Sequence, residues 1–415
     1  MSDLLLHNAG ELATLAGGVR RGRAAMNDLR VIKDGAVAIR DGRIVAVGRS
    51  RDLLRDHHDL PRFDAEGRSV VPGFVDPHTH PVFAGDRAHE FEMRLQGKTY
   101  QEILKAGGGI LYTVRKTREA SKEQLLAQLL TRLDRMLLHG TTTVEAKTGY
   151  GLDLDTELRL LDVLREARHH HPVEVAPTFM PAHAVPPEFK DAASFAEHVA
   201  HTITPKAAGR GAEFVDVFCE EGVFTPEESR LVLEAGRRVG MKVKVHADEL
   251  AHSGGSQLAA GMRAVSADHL LHADAADARA LAEAGTVAVL LPGTAFTLRA
   301  PYANAQALMD AGCAVALATD FNPNCFCESM PFMMALAAQG MRMTPAESLA
   351  ASTINAAAAV DRAATHGSIE VGKVGDLVVL DAPSHVHLPY HFGVNVVQAV
   401  VKGGRLVVDR GARRA

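Results

Sequence analysis

The sequence predicts an α/β chain built as a (β/α)₈ barrel of TIM type, carrying a small composite β-domain formed by the N- and C-terminal segments. Short apolar, β-branched segments recur eight times along the middle of the chain, and amphipathic helical stretches separate most of them. That alternation argues for βα units and a parallel sheet rather than hairpins. The two ends of the chain have a different character, with strands meeting across glycine turns. Eight βα units in about 290 residues suit a closed barrel, whose usual length is about 250. A doubly wound open sheet is the alternative, but no Gly-rich phosphate loop follows an early strand.

The candidate barrel strands are Ser69–Val75, Thr141–Glu145, Val173–Thr178, Phe214–Phe218, Lys242–His246, Arg263–Ala267, Val287–Leu291 and Ala314–Ala318. Ser121-Lys-Glu-Gln124 opens one helix with a capping-box pattern. Thr225-Pro-Glu-Glu228 and Thr344-Pro-Ala-Glu347 repeat it with proline at the first helical position. Near the N-terminus, Val37-Ala-Ile39 and Ile44–Val47 flank Asp41-Gly42, a favoured hairpin turn. Near the C-terminus, Leu377–Leu380 reads as a strand, and Val396–Val401 meets Arg405–Val408 across Gly403-Gly404. Neither end has enough strands to stand alone. Residues 1–68 and 361–415 are therefore expected to form one β-domain, with 69–360 as the barrel, which brings the chain ends together.

Composition narrows the function classes. With 47% hydrophobic and 23% charged residues, the chain is ordinary globular protein without a disordered tract. A formal net charge of −5 gives no reason to expect nucleic acid as a partner, and the stretch from Arg410 to Arg414 reads as a short solvated tail. Sparse cysteine, at Cys219, Cys313, Cys325 and Cys327, argues against a disulfide framework and suits a reducing cytosol. Cys325-x-Cys327 is half of a conceivable thiolate site, and no second half is present. No secretory signal pattern begins the chain, and apolar runs such as Val287–Leu291 are too short to span a bilayer. A cytoplasmic protein is the expectation.

The strands end in residues that packing alone would not choose. They run into Asp76-Pro-His78-Thr-His80, Glu145-Ala-Lys-Thr-Gly-Tyr150, His183, Cys219-Glu220, His246-Ala-Asp-Glu249, Asp268-His269 and Asp320. In a closed barrel the C-terminal rim of all strands forms one mouth, where catalytic residues gather. Residues i and i+2 of a strand share a face, so His78 and His80 can reach one ion. Among 21 histidines such a pair is common by chance, and a surface or core pair is the plain alternative. His246 and Asp320 change the balance. Three neutral imidazoles and one carboxylate make a site suited to zinc or iron.

Several longer motifs carry a resemblance. Val71-Pro-Gly-Phe-Val-Asp before His78-x-His80, with histidines on strands five and six and an aspartate on strand eight, resembles the amidohydrolase superfamily. Asp76–Arg87, Gly107–Ile110, Thr148–Leu152, His246–Glu249, Ser266–His269 and Val289–Gly293 narrow it to the imidazolonepropionase family. That family hydrolyses the ring amide of 4-imidazolone-5-propanoate to N-formimidoyl-L-glutamate in histidine degradation. The resemblance makes His78, His80, His246 and Asp320 the ligands of one zinc or iron ion per subunit. It makes Arg87, Tyr150, His183, Glu249, Asn322, Asn324 and Cys325 substrate contacts, places Glu249, His269 and Asp320 at the chemistry, and implies a homodimer. One departure stands out. After Asp320-x-Asn-Pro the family commonly continues with Gly and Ser or Thr, whereas this chain has Asn324 and Cys325, and a thiol is a poor donor.

The chemistry needs these residue types. A ring amide is a poor electrophile and water a poor nucleophile, and a metal addresses both. Asp320 could take a proton from the attacking water, His269 could stabilise the oxyanion or relay a proton, and Glu249 could protonate a ring nitrogen. Arg87 offers a two-pronged fork for the substrate's carboxylate, while Tyr150 and His183 could orient the ring. Each has a plain competitor. Arg87 could pair with Glu90 or Glu92, Tyr150 lies between glycines, and His183 precedes Pro186-Pro187. His252 stays unassigned, His169–His171 reads as structural at a helix end, and Cys219-Glu220 as support. Lys147 is not required as a bridging ligand. The competing functions are another cyclic amidohydrolase or deaminase on the same scaffold, and a non-catalytic scaffold. A carboxylate clamp argues against an uncharged nucleobase, and a complete ligand set against a retired site.

Overall fold

The eight βα units close on themselves. A computed structural model describes residues 2–98, 102 and 107–414. Its eight-stranded sheet runs in chain order through Phe74–Asp76, Thr141–Lys147, Glu174–Ala182, Phe214–Cys219, Lys242–Ala247, Ser266–His269, Val287–Leu290 and Val315–Leu317. Every neighbouring pair is parallel. The last gap is stitched just beyond the strands by a parallel bridge between Thr79 and Phe321. There Asp320 N–H donates to the His78 carbonyl at 3.1 Å and His80 N–H to the Phe321 carbonyl at 2.8 Å. The closure seam thus runs through His78, His80 and Asp320.

Two strands start elsewhere than in the sequence reading, for identifiable reasons. The run Ser69–Val75 is two strands, not one. Ser69–Pro72 pairs antiparallel with Leu377–Leu380 in the terminal sheet, and Phe74–Asp76 alone enters the barrel. Gly73 makes the step between them, lying so close to the second barrel strand that a Cβ would sit 2.3 Å from Thr142 Oγ1. The sixth strand starts at Ser266 rather than Arg263, because Arg263 turns with φ 49° after the helix Gly255–Gly261. Around the barrel, the expected capping boxes form at Ser121 with Gln124, Thr225 with Glu228 and Thr344 with Glu347. Each hydroxyl satisfies an N–H that the first helical turn leaves unpaired.

The terminal segments share structure as expected. A seven-stranded sheet runs from Ala412–Arg413 through Arg405–Asp409, Val397–Lys402, Leu377–Leu380, Ser69–Pro72 and Glu11–Ala13 to Val31–Ile32. A four-stranded sheet adds Arg43–Arg49, Gly35–Arg40, Leu4–Ala9 and Arg62–Asp64. One apolar core joins both ends, with Leu6, Leu12, Val37 and Ile39 packed with Leu377, Val379, Ala399 and Val401. The Asp41-Gly42 hairpin turn has positive φ at both positions, matching right-handed strand twist. Among the described residues, no helix is long and apolar enough to cross a membrane.

Candidate active site

The barrel mouth opens a cleft of about 130 Å³ lined by His80, Arg87, Ile110, Tyr150, His183, Phe218, His246, Glu249, His269, Thr294, Asp320, Asn322 and Asn324. Strand pairing sets the depth of its floor, since His246 pairs with Asp268 and Ala247 with His269. Beyond the strands the backbone turns sharply. His269 has φ 79° and Asp320 φ 50°, both left-handed and uncommon for residues with a Cβ. Such conformations cost energy and persist where surrounding contacts fix them.

The ring nitrogens of His78, His80 and His246 face one another. His80 Nε2 lies 3.3 Å from His78 Nε2 and 3.3 Å from His246 Nε2. Asp320 Oδ1 is 3.5 Å from His78 Nε2 and 3.6 Å from His80 Nε2. All four side chains are buried. Asp268 Oδ2 accepts from His78 Nδ1 at 2.6 Å, so the His78 Nε2 turned toward its neighbours is a bare lone pair. Ligands about 2.1 Å from a tetrahedral ion stand about 3.4 Å apart, which these separations match. Lone pairs gathered this way repel unless a cation lies between them. The donor set fits a metal ion. A second grouping of comparable closeness joins His78, His269 and Asp320, so His269 borders the same centre.

Around that centre the other sequence-derived candidates take different positions. Glu249 Oε2 is 3.4 Å from His269 Nε2. Burial, then the negative charges of Asp320 and Glu220, push the Glu249 carboxyl well above the usual range, which favours its protonated form. Glu220 holds the loop beneath it, accepting from the backbone N–H of Glu249, Leu250 and Ala251 and from the Ser253 hydroxyl. His183 stacks on His80 with ring centres 4.7 Å apart, and its Nδ1 donates to the Gly149 carbonyl at 3.1 Å. A carbonyl can only accept, so the His183 Nε2 is left as an acceptor. Tyr150 is buried beside both histidines.

Arg87 meets both readings weighed for it. Its Nε and Nη2 donate to Glu90 Oε2 at 2.8 and 2.7 Å, yet the side chain also lines the cleft. Asn322 and Asn324 line it as well. Cys325 is not brought there. Its thiol is buried below the loop, 3.5 Å from the Thr319 carbonyl, and its N–H donates to Asn322 Oδ1 at 3.0 Å. A contact from Cys325 to a ligand in the cleft therefore has neither its thiol nor its N–H to use. His252 pairs with Asp277 at 2.8 Å outside the cleft, and His171 is held by Asp134.

Sequence reasoning missed Thr294, whose hydroxyl donates to Asp320 Oδ2, and Phe218, which packs edge-on against His246. Phe218 carried a usable signal. It lies two before Glu220, at the end of a strand whose neighbour pairs it with His246. Thr294 had none, since it comes from a short helix after the seventh strand.

Comparison with known proteins extends the geometry. The amidohydrolase family model matches residues 69–407, and the imidazolonepropionase-like composite domain of bacteria matches residues 35–59. An imidazolonepropionase from Symbiobacterium thermophilum is 53% identical over 420 aligned residues, covering 99% of either chain. Another, from Haloarcula marismortui, is 53% identical over 98% of this chain and 96% of its own. Among solved structures, a zinc-bound adenosine deaminase from Xanthomonas campestris superposes with TM-score 0.75 at 19% identity, covering 99% of this chain and 94% of that one. A guanine deaminase from E. coli gives 0.75 at 18% identity, covering 98% and 99%. At such identities these two speak for the fold alone. The full-length matches do more: the chain belongs to the amidohydrolases and, within them, to the imidazolonepropionase family.

Proposed function

We propose that the chain hydrolyses the ring amide of 4-imidazolone-5-propanoate to N-formimidoyl-L-glutamate. The observation that carries this reading is one site gathering three facing imidazole nitrogens, a carboxylate and an arginine. His78, His80, His246 and Asp320 would hold one ion, zinc or iron by the nitrogen-rich, thiolate-free donor set. Such an ion lowers the pKa of a water to about 7 and polarises a carbonyl oxygen.

The chain's own residues supply the rest. Asp320 Oδ2 is fixed by the Thr294 hydroxyl yet keeps a lone pair, so it can accept a proton from the attacking water. His269, 3.4 Å from Glu249, can steady the negative charge that grows on the ring oxygen. Water oxygen bonds to the carbonyl carbon, the carbon–nitrogen bond breaks, and a proton must reach the departing nitrogen. Glu249, whose carboxyl is pushed toward its protonated form by burial and by the charges of Asp320 and Glu220, can donate it. Arg87, held on one side by Glu90, turns its remaining N–H groups to the propanoate, with His183 Nε2 and Tyr150 orienting the ring. The four free cysteines, three of them buried, support a cytoplasmic setting, and the family resemblance supports a homodimer. It also supports 1–68 and 361–415 as a composite unit, which Ser69–Pro72 joins as a strand of the same sheet, with the rest of 69–360 as the barrel.

Metal analysis of the purified chain, combined with a ring-opening assay on 4-imidazolone-5-propanoate, tests the reading. One ion per chain and loss of both ion and turnover in His246→Ala are expected. A metal-loaded chain that leaves the imidazolone intact but deaminates a nucleobase would overturn the substrate assignment.

A further inference from the structure

Below the imidazoles the barrel bore holds a buried charged cluster that the steps above leave unused. Lys147 Nζ lies 2.6 Å from Glu145 Oε1, 2.7 Å from Asp216 Oδ2 and 3.8 Å from Asp268 Oδ2, with all four side chains fully buried. Two of those carboxylates stand directly behind metal-binding imidazoles. Asp268 Oδ2 accepts from His78 Nδ1 at 2.6 Å. Asp216 Oδ2 lies 3.0 Å from His246 Nδ1 without the alignment of a hydrogen bond, while Asp216 Oδ1 accepts the His246 N–H at 3.2 Å. Lys244 also approaches Asp268, at 3.6 Å, but spends its donors on Ser266 and the Ala359 carbonyl.

Lys147 is itself anchored from the metal side. Glu145 and Lys147 are two apart on one strand and share the inward face. Glu145 Oε2 accepts the Thr79 N–H at 3.2 Å, its carbonyl accepts the Thr79 hydroxyl at 2.6 Å, and the Lys147 N–H donates to the Thr79 carbonyl at 2.9 Å. Thr79 is the residue between His78 and His80. The ammonium therefore meets the supports of all three ligand histidines. Its directional donors go to Glu145 and Asp216 and fix where those two carboxylates point, while at 3.8 Å its charge offsets that of Asp268.

We propose that Lys147 is a positioning residue of the metal centre, holding Asp216 and Asp268 so that the Nε2 atoms of His246 and His78 converge on one ion. The inference rests on the metal reading above. Its competitor is a buried ion cluster that serves folding only. Outer partners of metal ligands typically change metal affinity by about 10–100-fold when removed, whereas a purely structural lysine would lower stability and leave the affinity of the folded chain alone.

Zinc dissociation constants, measured by chelator competition on the full-length chain, separate the two. Lys147→Met is expected to weaken zinc binding by about 10–100-fold and to shift the visible spectrum of the cobalt-loaded chain. Lys244→Met, which releases one of the two carboxylates only, should weaken it less. Equal losses in both variants, or a zinc constant within about twofold of the unsubstituted chain in Lys147→Met, would overturn the role. Glu145→Gln guards against a misfolded methionine variant, because it removes the charge that holds Lys147 while its amide oxygen can still accept the Thr79 N–H. Weakened zinc binding there supports the proposal, and unchanged binding overturns it. A wild-type chain that binds neither zinc nor iron would defeat the metal reading, and this role with it.

Discussion

Glu249 and His269 face each other across 3.4 Å at the mouth of the barrel, and neither is needed to complete the four-residue set proposed to hold the ion. If both act on protons or charge in the transition state, Glu249→Gln and His269→Asn should keep the metal and lower kcat by at least about 10²-fold. Metal titration and steady-state kinetics on the same preparations check this. Metal loss in parallel with activity would instead make them supports of the ligands. Arg87 calls for a different signature. Because Glu90 already occupies its Nε and Nη2, Arg87→Ala should raise KM strongly, and Arg87→Lys should recover little without the planar fork. An unchanged KM in the alanine variant would place the carboxylate elsewhere. At this scale the sequence was informative where chemistry and strand position coincide, as at His78, His80, His246, Glu249 and Asp320. It was silent on Lys147, Asp216 and Asp268 as a group, because inward charged residues on three strands become neighbours only when the barrel closes. Cys325 shows the opposite failure. The resemblance carried a contact over to this position, but the Asn322 side chain takes its N–H and its thiol lies against the Thr319 carbonyl.

Elements were legible through their ends more than their interiors. Capping boxes at Ser121, Thr225 and Thr344 mark three helix starts because the pattern is local chemistry. Strand starts were less visible, since an apolar run does not record where one sheet hands over to another. Ser69–Val75 illustrates this, reading as one strand while serving two sheets through Gly73. The handover depends on contact between backbone and Thr142, as a Cβ on Gly73 would lie 2.3 Å from Oγ1 and 2.7 Å from Cγ2 of that residue. Gly73→Ala should therefore destabilise by about 1–3 kcal/mol through overpacking, with partial recovery when Thr142→Ala is added. Thermal unfolding of the single and double variants measures it. A fully stable Gly73→Ala chain would show that the two sheets slide apart freely.

On the scale of the whole molecule, Glu11 ties the chain's two ends to the entry of the barrel. Its strand, Glu11–Ala13, runs parallel to Ser69–Pro72. Its Oε1 accepts the His385 N–H at 2.9 Å and lies 2.7 Å from His385 Nδ1, and Ser384 and Ser69 hydroxyls each approach at 3.3 Å. Burial alone would raise this carboxyl. Bonding to His385 and the charges of His385 and Lys33 outweigh it, holding Glu11 at about 2 against an ordinary 4.5. A folded-state pKa below the unfolded value means that stability is fully present above about 4.5 and is lost as pH falls toward 2. Glu11→Gln should therefore lower stability at pH 7 by roughly 1–2 kcal/mol, discounted for the partly solvated surroundings. The gap between variant and wild type should shrink as acid is added, because the wild-type carboxyl is then neutral too. Denaturant unfolding at several pH values from 7 downward checks both parts. A gap independent of pH would assign the loss to packing. A closing gap would show that one carboxylate, placed where the first and last segments meet, gives the terminal sheet much of its acid sensitivity.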